Sequence, residues 1–474
     1  MAQPNDPKQQ SRRHFLKTAG LAGAAFTIVP RHVLGGGFVA PSDTLYIGGI
    51  GVGGKGFSDL AEPSKSKFAK VVALCDVDDR SAQRAIKRFK GANYYHDYRE
   101  MLEKESGLDA VTVSTPDHMH GIQALAAMEL GKHVYVQKPL THDIYEARQL
   151  TEAAHKYKVV TQMGNQGASG DGVRLMQEWY NAGLIGEVKE VYCWTDRPVW
   201  PQGIAWPKEK GQIPAELNWD LWLGTAPQKD YVDNLLPFNW RGWWDYGTGA
   251  LGDMACHIIE PAFKTLKLGY PTGVECSVST TYTAPWQKVY SPESCPTSSH
   301  IVLDFPARGE QPALKLHWMD GGIRPARPEL VGANEVMGDG GNGVIMNGSK
   351  GTLMCSAYGD NPRLYPLSLR EQAEAVPKTL ARVPEGHYVQ WVNACMSGYK
   401  QNEVSSDFDI AGPLTESILM GNLALRSYDI REKKGKNWKY PGRNIKLLWD
   451  GDNMKVTNFD PANQYVKRDY RTGW

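Results

Sequence analysis

A six-residue apolar run, Leu45 to Ile50, ends abruptly in Gly51-Val52-Gly53-Gly54-Lys55-Gly56, and few folds accommodate that junction. A short, wholly apolar run suits a parallel strand buried on both faces. Glycines at the first, third and sixth places match the turn that admits a dinucleotide. Gly51 allows the tight turn, Gly53 lets the backbone approach a pyrophosphate, and Gly56 lets a helix pack closely on the strand. The helix that follows offers free N–H groups and a positive dipole end to the phosphates, with Gly54 and Lys55 beside them.

The surroundings strengthen this reading. A second apolar run, Val71 to Cys75, ends in Asp76. An acidic residue there accepts hydrogen bonds from the adenosine ribose and repels a 2′-phosphate, so NAD is expected rather than NADP. The competing reading makes Asp76 a helix cap, a task that Asp78 and Asp79 can also perform. Strand and helix patterns then alternate. Asp79–Phe89 is expected as helix, Ala110–Ser114 as strand, His118–Leu130 as helix, Val134–Val136 as strand, Asp143–Lys158 as helix and Val159–Met163 as strand. Such alternation predicts an α/β fold with a doubly wound parallel sheet. Its ligand lies beyond the carboxyl ends of the strands, where Gly51, Asp76, Thr115, Lys138 and Asn165 fall.

A chain of 474 residues exceeds what one core supports, so more than one domain is expected. We read residues 1–42 as an export signal and linker, 43–165 as the dinucleotide-binding domain and 166–474 as the substrate domain. The signal reading rests on Ser11-Arg12-Arg13-His14-Phe15-Leu16-Lys17 followed by a Gly/Ala-rich apolar stretch to Val29, the order of a twin-arginine address. That stretch is too short to span a bilayer. The expected location is the periplasm, with a retained N-terminal anchor as a variant. With 53 basic and 52 acidic residues the chain lacks the basic excess of a nucleic-acid binder. Seven dispersed cysteines without a Cys-x-x-Cys pair argue against zinc-finger sites and a disulfide framework.

Eight of the 15 tryptophans fall between Trp194 and Trp244, among six prolines that keep regular structure short. They fit an aromatic core and equally a cleft with flat platforms for sugar rings. We expect ordered loops at a site entrance. Farther on, His300–Phe305 and Leu314–Trp318 alternate like half-buried strands, Val344–Met354 reads as a hairpin around Asn347-Gly348, and Pro413–Tyr428 as an amphipathic helix.

The glycine loop, Asp76, Thr115-Pro116-Asp117-His118-Met119-His120, Lys138-Pro139 and Gly247-Thr248-Gly249-Ala250-Leu251-Gly252-Asp253 with His257 occur in this order. The chain thereby resembles the Gfo/Idh/MocA oxidoreductases, over most of residues 43 to 430. The resemblance implies a C-terminal α+β domain with an open, mostly antiparallel sheet, and hydride transfer at a CH–OH group of a sugar, glycoside or cyclic polyol. It implies that Lys138 touches both nicotinamide and substrate and that Asp253 and His257 form the proton-transfer pair. It also points to Thr115, Pro116, His118, His120, Gln137, Lys138 and Asn165 as cofactor contacts, and to Trp240, Arg241 and Tyr246 as substrate contacts. Gln137 departs from the family pattern, which has Glu before the Lys-Pro pair.

The residues support these roles chemically. Asp253 and His257 are four apart, so on a helix they share a face and the carboxylate is expected to orient the imidazole. His suits a base at working pH, and a Lys ammonium favours the developing alkoxide. The competing readings are a helix cap for Asp253 and a satisfied core histidine for His257. No metal is expected; Asp253, His257 and Glu260 near one helix face are the nearest approach to a ligand set. The expected partners are a small carbohydrate substrate and further copies of the chain, with no nucleic acid and no transmembrane span.

Outside the cytoplasm there is no pool of NAD to exchange with, so the cofactor is expected to be recycled in place. One form of recycling couples oxidation of one sugar to reduction of another. The other oxidises a glycoside transiently, eliminates its anomeric substituent and returns the hydride, making the protein an NAD-dependent glycosidase. A non-catalytic exported sugar-binding protein is the alternative of another class.

Overall fold

The computed structural model describes residues 43–474, of which Thr44–Trp474 form one compact unit. The proposed Arg12-Arg13 address lies outside the described residues.

The first half builds a six-stranded sheet. Its strands are β1 (Leu45–Ile50), β2 (Ala69–Cys75), β3 (Asn93–Tyr95), β4 (Ala110–Val113), β5 (His133–Val136) and β6 (Thr161–Met163). They are all parallel and run in the order β3-β2-β1-β4-β5-β6. The crossover helices are α1 (Gly54–Ala61), α2 (Asp79–Arg88), α3 (Tyr98–Lys104), α4 (Asp117–Glu129) and α5 (Ile144–Tyr157). This is the strand order of a dinucleotide-binding Rossmann sheet, whose direction of winding reverses between β1 and β4. Two elements were not expected from the sequence. β3 is three residues long and polar, and α3 is a short helix capped by Asp97, whose side chain accepts from the Arg99 N–H. Neither carries enough apolar periodicity to announce itself.

The second half centres on a nine-stranded sheet. After α6 (Asp171–Asn181) the chain enters β7 (Val188–Trp194). Next come α7 (Trp219–Leu223), α8 (Gly249–Thr265), β8 (Gly273–Val278) and a small separate hairpin, β9 (Tyr282–Ala284) with β10 (Gln287–Lys288). β11 (Ser299–Phe305), β12 (Leu314–Met319), β13 (Gly343–Gly348), β14 (Thr352–Cys355) and β15 (Arg363–Tyr365) follow, then a second small hairpin, β16 (Glu432–Lys434) with β17 (Asn437–Lys439), and β18 (Leu447–Asp450) and β19 (Lys455–Val456). The nine strands run in the order β15-β14-β13-β7-β12-β11-β8-β18-β19. Every pairing is antiparallel except β7 with β12. The alternation seen in β11 is real: Ser299, Ile301, Leu303 and Phe305 are buried and the residues between them are not. The hairpin over Val344–Met354 forms, with its turn one step beyond Asn347-Gly348: Asn347 already pairs with Thr352.

The last helices close the fold, one on β15, one on β1 and the longest across both halves. α9 (Leu369–Glu374) and α10 (Gly386–Ser397) lead to α11 (Phe408–Tyr428), which packs on both α5 and α8. α11 starts five residues before Pro413, because the Asp407 side chain accepts from the Ile410 N–H and caps it. Pro413 therefore lies inside the helix, just past its first turn, and gives up one i→i−4 hydrogen bond there.

Candidate functional site

A cleft of about 520 Å³ opens at the carboxyl ends of the parallel strands and reaches across to α8. One side is the glycine loop. Gly51 has φ +74°, a conformation that L side chains rarely adopt, and a Cβ on Gly56 would lie 1.8 Å from the Gly51 carbonyl oxygen. No side chain caps α1 and its first turn holds no acidic residue, so its opening N–H groups remain available to an anion. Asp76, at the end of β2, accepts from the Val52 and Gly53 N–H groups at 2.9 and 3.1 Å and so braces this loop. Its carboxyl is pushed up to about 6 by burial, against the opposing pull of its backbone hydrogen bonds. The close helix–strand approach, the uncapped α1 and a carboxylate at the ribose position fit a dinucleotide. Gly51, Gly53, Gly54, Lys55, Asp76, Thr115, Pro116 and Gln137 all border the cleft.

At the far end Lys138, following β5, meets Asp253 and His257 on α8. The Lys138 ammonium donates to the Asp253 carbonyl at 2.7 Å and to its carboxylate at 2.8 Å. Arg241 Nε donates to the same carboxylate at 3.2 Å, its guanidinium lying 4.3 Å from the ring centres of both Trp240 and Phe238. Burial alone would raise Asp253, but the Lys138 and Arg241 charges overcome it and hold the carboxyl at about 2. His257 borders the same cleft. Burial first, and then the Lys138 charge, push it down to about 3, so its imidazole is neutral at ordinary pH. Its Nδ1 is buried without a partner, and its ring lies 4.6 Å from that of Tyr358. The expected Asp253–His257 hydrogen bond is absent among the described residues: the carboxylate is taken by two cations instead.

Other expectations need correction. His118 does not border the cleft. It is fully buried, its Nε2 is 3.1 Å from the Trp222 carbonyl, and its ring packs on Trp222 and Tyr246. His120 faces inward too, bridging the Pro139 and Thr115 carbonyls, each at 2.8 Å, and so holds two cleft loops together. Tyr246 is wholly buried in the aromatic cluster, away from the cleft surface. Asn165 is buried beside the site with neither amide atom hydrogen-bonded, and Gln166 borders the cleft in its place. Glu260, on the buried face of α8, lies 3.7 Å from Lys264, and burial raises its carboxyl to about 7. No three-residue ligand set for a metal occurs among the described residues.

The tryptophan-rich stretch divides between an aromatic core and the cleft wall. Trp219, Trp222, Trp240 and Trp243 form a small core of their own with Tyr246. Trp200, Trp222 and Trp240 also border the cleft.

Sequence reasoning missed the group beneath Gln137. Asp59 on α1 is buried and accepts from Gln137 Nε2, Ser114 Oγ and Tyr388 OH, each at 2.8 Å, and from Lys55 Nζ at 2.6 Å. An amide at position 137 donates a hydrogen bond that an ionised Glu could not. The i, i+4 spacing of Lys55 and Asp59 was the one local signal.

Fold and cleft thus define a two-domain protein built to hold NAD. Residues 45–165 match the oxidoreductase family, NAD-binding Rossmann fold, and residues 191–289 match its C-terminal alpha/beta domain. The two matches fall in chain order, one on the NAD-binding domain and one on the C-terminal domain of that oxidoreductase family. It is 30% identical over 202 residues to an alpha-N-acetylgalactosaminidase of Shewanella oneidensis, a match covering 37% of this chain and 44% of that protein. The chain therefore aligns with less than half the length of that relative. The WlbA dehydrogenase of Chromobacterium violaceum, solved with NADH and UDP-GlcNAcA, superposes with a TM-score of 0.55 at 16% identity, over 82% of this chain and 95% of that one. The aldose-aldose oxidoreductase of Caulobacter crescentus, complexed with glycerol, gives 0.52 at 15%, over 81% and 98%. At these identities the two structures show a shared fold.

Proposed function

We propose that the protein is an NAD-dependent enzyme that oxidises a CH–OH group of a sugar, glycoside or cyclic polyol and keeps its cofactor through the cycle. The observation that carries this reading is Lys138, fixed on Asp253 beside a neutral His257, in the same cleft as the glycine loop. NAD, when bound, supplies the hydride acceptor.

The chain's own residues do the rest. Two of the three Lys138 N–H groups are spent on Asp253, which aims the third at a substrate oxygen and stabilises negative charge there. His257 borders the cleft, and its neutral imidazole takes the hydroxyl proton. Asp253 is a positioning residue for Lys138 and Arg241. Trp200, Trp222 and Trp240 present apolar faces to the C–H faces of a sugar ring and exclude water. Export through the Arg12-Arg13 address, with the cofactor already bound, belongs to the same reading.

The similarity to an alpha-N-acetylgalactosaminidase supports a second reading, in which the oxidation is transient. A ketone acidifies the neighbouring C–H, His257 or a nearby base removes that proton, and the anomeric substituent leaves with the bonding electrons. Water then adds to the alkene, and the ketone is reduced by the electrons first removed, so the net reaction is hydrolysis.

One series of measurements tests both. Protein purified without added NAD is denatured and its supernatant assayed for released cofactor; intact protein is then offered sugars and glycosides while reduced-nicotinamide absorbance is followed. Bound cofactor that is reduced by a free sugar, and turns over when a second keto-sugar is supplied, supports the oxidoreductase. Steady aglycone release from one glycoside, with deuterium retained at the oxidised carbon and exchanged with solvent at its neighbour, supports the glycosidase. Protein that arrives empty and turns over only with excess NAD, releasing NADH stoichiometrically, rejects the retained cofactor.

A further inference from the structure

One wall of the cleft belongs neither to the glycine loop nor to the Lys138 end. Residues 466–474 run along the first domain and bring the Trp474 indole to the cleft rim, next to His96, Asp97 and Tyr98. The segment is fastened along its length. Arg468, largely buried, lies 2.7 Å from Glu146 on α5, and Tyr470 donates to the same carboxylate at 2.6 Å. Arg471 donates through its backbone to Thr225 at 3.1 Å and through Nε to the Gly224 carbonyl at 3.0 Å, locking the segment to the loop after α7. Trp474 N–H returns to the Arg471 carbonyl at 3.1 Å, and the Arg99 guanidinium lies 4.4 Å from its ring centre. This wall is an ordered part of the fold.

Sheet order fixes which half of the cofactor it meets. β3 lies beyond β2 from β1, whereas β5 lies beyond β4 on the opposite side. Trp474 and Tyr98 therefore stand past Asp76, and Lys138 stands at the other extreme. A dinucleotide with its pyrophosphate at α1 and its adenosine ribose at Asp76 points its adenine toward Trp474. A half-buried indole at the cleft rim, with the Arg99 and Arg471 guanidinium groups 4.4 and 5.8 Å from its ring centre, offers an aromatic surface to a purine.

We propose that Trp474 forms the adenine wall of the cofactor site and that residues 466–474 retain the adenosine half of NAD; this rests on NAD binding by the first domain. The test uses the full chain, first stripped of any copurified NAD, and two halves of the cofactor, ADP-ribose and nicotinamide mononucleotide, titrated by calorimetry. Trp474→Ala is expected to weaken ADP-ribose about tenfold or more, the loss of one stacked base, and to leave nicotinamide mononucleotide within about twofold. Trp474→Phe should recover most of the loss. Arg471→Ala, which removes the segment's side-chain tie to Gly224 and a cation 5.8 Å from the Trp474 ring centre, should shift ADP-ribose in the same direction. Trp474→Ala that binds ADP-ribose like the unmutated protein overturns the proposal, and so does equal weakening of both ligands. Unmutated protein that binds neither ligand overturns the NAD-binding reading beneath it.

Discussion

The Lys138 ammonium lies 2.7 Å from the main-chain oxygen and 2.8 Å from the carboxylate of Asp253, joining the end of β5 in one sheet to α8 over the other. The contact fixes a cation at the floor of the cleft and gives it a preferred free direction. Lys138→Ala is expected to leave NAD bound, because the glycine loop and Asp76 are remote from it, and to lower turnover roughly a hundredfold or more. Asp253→Asn should fall between this variant and the unmutated protein, since the amide still accepts from Lys138 but carries no charge. Calorimetry with NAD beside steady-state rates checks both, and full activity in Lys138→Ala would remove it from the mechanism.

His257 makes a pH prediction. Burial, and then the Lys138 charge, place its pKa at about 3, so the neutral form persists far below the ordinary histidine value of 6.5. The profile of kcat/KM should lack an acid limb near 6.5 and fall less than about threefold between pH 8 and pH 5. The same shift acts on stability with a definite sign. Below pH 6.5 the unfolded chain takes up a proton at this position and the folded chain does not. Stability is therefore lost as pH falls from 6.5 toward 3, by up to about 1.4 kcal/mol per pH unit from this group. His257→Gln should remove that part of the slope in urea titrations and cut turnover roughly a hundredfold. An acid limb at 6.5, or a fully active glutamine variant, puts the base elsewhere.

Asp76 makes a second pH prediction. Its carboxyl, raised to about 6 by burial, is ionised above that pH and increasingly protonated below it. Repulsion of a 2′-phosphate needs the charge. The affinity ratio of NAD over NADP is expected to be large at pH 8, to shrink at pH 5, and to be small and pH-independent in Asp76→Ala. Removal of one or two charge-assisted hydrogen bonds to the ribose should cost NAD itself about 1.5–3 kcal/mol per bond. A ratio that is the same at both pH values and in the variant would assign selectivity to another residue.

How far the sequence reached can be judged from these residues. The β1–Gly51–α1 junction, Asp76 and the strand–helix alternation were legible because each is written within a few residues: an apolar period, a glycine where φ must be positive, a strand end. The side on which a helix-start residue falls was not. His118 and His120 follow β4 as cleft residues should, yet partners about 20 and 100 residues away, the Pro139 and Trp222 carbonyls, turn them inward. Asp253 and His257 share α8 as their spacing requires, but Arg241, from a separate loop, decides what the carboxylate binds. Trp474 reaches the cleft only because Arg468, Tyr470 and Arg471 dock on distant helices and loops, which no local pattern records.

Gln137 supplies the last prediction. It follows β5 directly before Lys138, and its amide donates to the buried Asp59 at 2.8 Å. Asp59 already serves Lys55, Ser114 and Tyr388, so the pocket holds one carboxylate surrounded by donors. Gln137→Glu would place a second carboxylate oxygen at that distance with nothing to donate, in a site shut off from water. Two carboxylates there repel, and the conflict grows as pH rises and the introduced glutamate loses its proton. The variant should therefore be destabilised by a few kcal/mol at pH 8 and by less at pH 5, the reverse of the slope that His257 produces. Replacing Asp59 at the same time tests the cause. Asp59→Asn alone breaks the charge balance with Lys55, whereas Asp59→Asn with Gln137→Glu restores one carboxylate and one amide with the roles exchanged. The double variant should be more stable than the sum of the two single losses predicts, with a coupling of about 0.5–3 kcal/mol, the range for directly contacting groups. Urea titrations of the four proteins at pH 5 and pH 8 measure it. Strict additivity at both pH values would show that Gln137 and Asp59 do not act as a pair, and that the glutamine is tolerated for a reason outside this network.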